Sequence, residues 1–193
     1  MNSREKILQA IKENKPDFIS LPCVDDFSTQ SENLLDTFIE NLQTAGGYCV
    51  SITNLDAVNE FVAQQKQKGA DVIVGVDGID GFNLDEVKSY TGLQLQEVDT
   101  AVVKGVLAVA ENGAIWLTDT NIGNRILPFI CQHLIIIIKK ESICANMHEA
   151  YKQVKIDQEG YGVFIAGPSK TADIEQSLVV GAHGPLSLQV YII

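Results

Sequence analysis

The chain has 193 residues, 46% of them hydrophobic, enough to bury one core of ordinary size. Its 14 basic and 25 acidic residues give a net charge of −11 with no local basic patch, which argues against nucleic acid or an anionic membrane as partner. The longest apolar run, Leu134 to Ile138, ends at Lys139-Lys140, too short to span a bilayer; the charged N-terminus has no signal-peptide core, so a cytoplasmic protein without membrane insertion is expected.

In chain order, Ser3 is placed to cap a helix with Ile7, Leu8 and Ile11 on one face. The polar stretch from Asn14 to Gln30 reads as a mobile arm, so residues 1–30 form an N-terminal helix and arm and residues 31–193 one domain. "SENLLDTFIENLQTAGG" is an amphipathic helix: Ser31 caps it, Leu34, Leu35, Phe38, Ile39 and Leu42 recur at helical spacing, and Gly46-Gly47 stop it. Strand "YCVSI" follows, then a helix from Asn54 to Lys68 with Val58, Phe61 and Val62 inward, then strand "DVIVGV". "VLAVA" and "AIWLT" flank Glu111-Asn112-Gly113, and Asn-Gly between two apolar runs predicts a tight antiparallel hairpin. His133 to Ile138 suits a strand buried on both faces, as in a parallel sheet, and a helix spans Met147 to Val154. Strand Gly162 to Ile165, a loop with its helix, and strand Leu186 to Ile193 complete the chain. The expected fold is a three-layer α/β/α sandwich with a mixed, mainly parallel sheet and an antiparallel hairpin around Asn112-Gly113.

The cysteines, Cys23, Cys49, Cys131 and Cys144, form no C-x-x-C pair, and His133, His148 and His183 share no ligand spacing, so no intrinsic metal is expected. "GPSKTADIEQSLVVGAHGP", residues 167–185, supports two readings. In open α/β sheets ligands favour the carboxyl ends of strands, where the loop at Gly167 is expected to lie, with Lys170 and His183 as anion contacts. Equally, the Gly-Pro pairs are turn punctuation, Ser169 or Thr171 caps a helix, and Asp173 and Glu175 complement its dipole. A phosphate loop is rejected, because Phe164 and Ser169 stand where a Walker motif needs glycines. Arg125 pairs with Asp119 as readily as with a substrate carboxylate, and Trp116 reads as core.

"AVAENGAIWL", "NRILPFICQHLIIII" and "AGPSKTADIEQSLVVGAHGP", in that order and spacing, closely resemble the LUD domain family, of the lactate-utilisation protein C type. The resemblance implies a fold like that of the CoA-transferase and ribose-5-phosphate-isomerase superfamily. It further implies a part in L-lactate oxidation to pyruvate beside an iron–sulfur subunit and a cysteine-rich subunit. No cofactor is then expected in this chain, with iron–sulfur clusters or flavin on the partners, and a homo-oligomer stays open. Pro168, Asp173, Glu175 and Pro185 belong to the signature itself. A small carboxylate is expected among Glu111, Asn112, Gly113, Arg125, Gly167, Ser169, Lys170, Thr171, His183 and Gly184. The family usually shows Glu-Thr-Gly-Thr where this chain has Glu111-Asn112-Gly113-Ala114, so the glutamate and glycine are kept and two hydroxyls are not. The Glu-Asn-Gly string is also similar to the nucleophile region of family I CoA transferases, which makes Glu111 the nucleophile of an alternative, CoA-transferase- or hydrolase-like enzyme. A non-catalytic adaptor is the third reading.

Overall fold

The structure is a computed structural model that describes residues 2–23, 33–174 and 177–193, with backbone alone for 172–174 and 177–178. Its elements follow as α1 (Ser3–Glu13), α2 (Leu34–Thr44), β1 (Tyr48–Ser51), α3 (Asp56–Gln67), β2 (Val72–Val74), α4 (Leu84–Val87), α5 (Gly92–Leu95), β3 (Thr100–Lys104) and β4 (Leu107–Val109). The chain continues through β5 (Ala114–Thr118), α6 (Asp119–Ile122), α7 (Leu127–Ile130), β6 (His133–Ile138), β7 (Ile143–Cys144), α8 (Met147–Gln153), α9 (Ile156–Glu159), β8 (Gly162–Ile165), β9 (Lys170–Ile174), β10 (Ser177–Val180) and β11 (Ser187–Ile192).

The central sheet has the order β1-β11-β6-β3-β2, and every pairing in it is parallel. Strand β6 lies in the middle, so its apolar run serves two cores at once. Leu134, Ile136 and Ile138 face a cluster with Leu188, Val190 and Ile192 of β11, Ala101 and Val103 of β3, and Phe38 and Leu42 of α2. Ile135 and Ile137 face the other side, where Val58 and Val62 of α3 close over them. A side chain of this kind contributes about 2 kcal/mol when fully buried, so a strand with no polar face is stable only between two layers.

Local signals account for the helices that cover the sheet. Asn33, not Ser31, caps α2 by accepting from the Asp36 amide; Ser31 lies outside the described residues. Past its end, Gly46 N–H donates to Gln43 and Gly47 N–H to Leu42, the paired bonds of a helix stopped by a glycine with positive φ. The Asn54 side chain accepts from the Asp56 amide and starts α3.

The expected hairpin forms, with Val109 opposite Ala114. It belongs to a second, four-stranded sheet, β7-β4-β5-β8, rather than to the parallel one. Gly105 marks the crossing from β3 to β4: a Cβ there would lie 2.6 Å from Ile138, 2.7 Å from Ile115 and 3.2 Å from Ile136. The sheets therefore pack closely at that point, and Trp116, Phe164 and Ala150 of α8 form a third core on the second sheet's outer side.

Residues 170–174 and 177–180 do not form the expected helix. β9 and β10 make an antiparallel hairpin that pairs with neither larger sheet. Thr171, Ile174, Val179 and Val180 are β-branched and suit a pleated surface, which outweighs the cap-like Ser, Thr and Asp before them. Ser169, Thr171 and Asp173 thus have no helix to cap, and Glu175 lies outside the described residues.

At the other end, α1 opens with a reciprocal capping box between Asn2 and Glu5 instead of a Ser3 cap. Its stripe of Ile7, Leu8 and Ile11 is more than half exposed, residues 15–23 have no regular secondary structure, and 24–30 lie outside the described residues. Among the described residues, no helix is long and apolar enough to cross a membrane.

Burial pushes the thiols up, Cys49 and Cys144 to about 11 and Cys131 to about 12. At pH 8 each then carries about a hundredfold less thiolate than an ordinary cysteine, or less still. Iodoacetamide in native buffer is expected to label the exposed Cys23 first, with the other three modified fully only in denaturant, as read by peptide mass spectrometry. Because these folded values are raised, their contribution to stability is complete below about pH 9 and is lost as pH climbs towards 11–12.

Candidate functional site

The Glu111-Asn112-Gly113 turn is fixed by packing as well as by its own hydrogen bonds. The Asn112 side chain accepts from the Ala114 amide at 3.0 Å, and Gly113 adopts φ +68°. A Cβ on Gly113 would lie 2.6 Å from the Leu42 backbone, so the turn lies directly on α2, where Asn41 Nδ2 donates to the Ala110 carbonyl at 2.8 Å. Glu111 Oε2 accepts from the Met147 amide at 3.0 Å, placing its charge at the start of α8. That bond holds the side chain against α8 and occupies one of its two carboxylate oxygens. Incubation with acyl-CoAs is expected to leave no covalent adduct by mass spectrometry; an adduct lost in Glu111→Gln would establish the acyl-transfer alternative instead.

The signature loop reaches the far end of the same helix. Gly167 has φ +76°, and a Cβ there would overlap the Ala45 carbonyl, while Gly46 lies against Lys170 and Pro168. Ser169 N–H donates to the Pro185 carbonyl at 2.9 Å, and Gly181 N–H to the Ser169 carbonyl at 3.0 Å, so the two Gly-Pro segments are bound to each other. Between them opens a cavity of about 230 Å³ bounded by Phe129, Phe164, Gly167, Ser169, His183 and Gly184. A neighbouring hollow of about 380 Å³ shares Phe129, His183 and Gly184 and reaches Cys131 and Gln132.

This loop follows β8 of the second sheet, and its neighbours Gly46, Gln132 and Pro185 precede β1, β6 and β11. It therefore sits at the amino edge of the central sheet, not at the carboxyl edge that the local pattern suggested. Which edge a loop reaches depends on the sheet its strand joins.

Arg125 takes the local partner: Nε donates to Asp119 Oδ1 at 2.9 Å and Nη2 to Oδ2 at 2.6 Å, with its guanidinium 4.8 Å from the centre of the Tyr161 ring. The hydrogen bond to Asp119 raises its pKa above the ordinary value. The predicted residues thus fall into three groups, with Glu111 to Gly113 between α2 and α8, Arg125 on Asp119, and Gly167 to Thr171 beside His183 and Gly184. Neither signature-loop cavity is lined by Glu111, Arg125 or Lys170.

The true carboxyl edge holds a larger cavity, about 460 Å³, with Lys104, Lys139 and Asn121 on its wall. These residues escaped the sequence reading, although both "TAVVK" and "LIIIIK" show a lysine closing an apolar strand. Among the described residues, no three of His, Cys, Asp or Glu stand together as a metal site.

The chain is similar to "Lactate utilization protein C" of Macrococcus caseolyticus, 26% identical over 191 residues that cover 95% of this chain and 76% of the relative. A protein of the same description from Shouchella clausii is 36% identical over 98 residues, 48% of this chain and 43% of that one. Among solved structures, a DUF162 family protein from Deinococcus radiodurans superposes with a TM-score of 0.60 at 17% identity, covering 82% of this chain and 95% of that chain, a likeness of fold. The family model of the LUD domain matches residues 4–193, nearly the whole sequence, and the chain belongs to the LUD domain family.

Proposed function

We propose that this chain serves lactate utilisation as a non-redox component of a multi-subunit cytoplasmic system that oxidises L-lactate to pyruvate. It holds a small carboxylate where the two Gly-Pro segments meet, while iron–sulfur or flavin groups on partner subunits accept the electrons. The observation that carries this reading is the cavity of about 230 Å³ lined by both Ser169 and His183. A hydroxyl and an imidazole N–H are donors suited to a carboxylate, and the exposed Lys170 ammonium adds a cation nearby. Removing hydride from a 2-hydroxy acid needs an acceptor that side chains do not provide. The relatives named for lactate utilisation support the pathway.

The test is growth on L-lactate of a strain that depends on this chain. Ser169→Ala and His183→Ala together are expected to abolish growth at unchanged protein level, while Lys68→Ala, at the end of α3, leaves it intact. Co-purification with the iron–sulfur and cysteine-rich subunits should survive the double substitution. Normal growth of the double variant would sink the binding reading and favour the adaptor.

A further inference from the structure

We propose that the carboxyl edge of the central sheet is a second binding site, for an organic anion joining an apolar body to a phosphate or carboxylate group. The site is independent of the signature loop. His183 lines a hollow with Gln132, just before β6, whereas Lys139 follows the other end of that strand. A six-residue strand spans about 20 Å, so the two places do not share a ligand.

The cavity of about 460 Å³ falls in the size class of small-molecule sites. One wall is apolar, formed by Leu55, Val76, Leu84 and the half-exposed Phe82. The other wall is cationic. Lys104 on β3 stands opposite Ile137 on β6, and Lys139 lies two residues beyond Ile137, so the pleat directs both lysines to the same face of the sheet. Both also bound a contiguous hollow of about 280 Å³, which shares Asn121 as well.

The charge pattern indicates what the site takes. Neither lysine forms a salt bridge among the described residues, although acids outnumber bases 25 to 14 in the chain. Nearby, Asp85 pairs with Lys88 at 2.6 Å, and Asp77 is the other acidic side chain on the lining. Two ammonium groups on one face attract an anion more strongly than either does alone. The apolar wall adds what inorganic anions cannot use, so the preferred ligand has both parts.

The test follows amide shifts of the full chain by NMR during titration with phenyl phosphate, 3-phenyllactate, inorganic phosphate and L-lactate. The two amphiphilic probes are expected to move the amides of Gly75, Val76, Gly105 and Lys140 and to spare those of Gly181 to Gly184. Inorganic phosphate and L-lactate should bind at least about tenfold more weakly, since they leave the apolar wall unused. Whichever amphiphilic probe binds more tightly identifies the head group. Lys104→Gln with Lys139→Gln should weaken both probes by roughly 10- to 100-fold, and Lys104→Arg with Lys139→Arg should restore most of the loss. The proposal is overturned if neither amphiphilic probe binds at about 10 mM, weaker than a millimolar site. It is equally overturned if the folded Gln variant binds as the parent does, or if the shifts fall at Gly181 to Gly184.

Discussion

Gly113→Ala is expected to destabilise the protein by about 3–4 kcal/mol and lower its Tm by roughly 10 °C, while Gly69→Ala costs only about 1 kcal/mol. Both glycines have positive φ, +68° and +85°, so each substitution carries the same left-handed penalty for an L side chain. Their surroundings differ. Nothing lies within 4 Å of a Cβ at Gly69, whereas one at Gly113 would be 2.6 Å from both N and Cα of Leu42. Those atoms are helix backbone, and no rotamer change relieves them; α2 or the hairpin has to move. Paired thermal melts followed by circular dichroism measure the difference. Equal losses at the two positions would mean that the turn does not rest on α2 as described.

Phe38→Ala is expected to cost about 3–5 kcal/mol, the range for a fully buried aromatic, with Phe38→Leu recovering most of it. The functional loss should exceed what lower stability explains. α2 touches the Glu111 turn through Asn41 and Leu42 and the signature loop through Ala45 and Gly46, so one helix sets the position of both. With Phe38 gone, α2 loses its anchor in the central core and both turns shift together. Growth on L-lactate at a temperature where Phe38→Ala stays folded should therefore drop below that of a core variant of similar stability remote from α2, such as Val58→Ala. Equal growth of the two would separate α2 from the site.

Local pattern carried most of the fold. The Leu134 to Ile138 run specified a strand buried on both faces, Asn112-Gly113 a hairpin, and Gly46-Gly47 a helix stop, because each depends on neighbours in sequence. Residues 170–180 misled because Ser169, Thr171 and Asp173 resemble a helix start, while their strand character emerges only when β9 finds β10. The site was less legible for a different reason. Whether Gly167 reaches the amino or the carboxyl edge depends on β8 joining the second sheet, a long-range pairing with β5 that periodicity does not encode. Lys104 and Lys139 were visible as strand-ending lysines, but their convergence needed the register that sets Lys104 opposite Ile137.

Strand β11 lies between β1 and β6, yet it follows every other element in the chain. Among the described residues β1 pairs with β11 alone, Tyr48 opposite Gln189 and Ser51 opposite Ile192, across a separation of about 140 residues. On the ribosome, β1 consequently waits with its hydrogen-bonding edge open until β11 has been made. Closure of the sheet is then a slow event, and the nascent chain is exposed to strand-edge aggregation until β11 emerges.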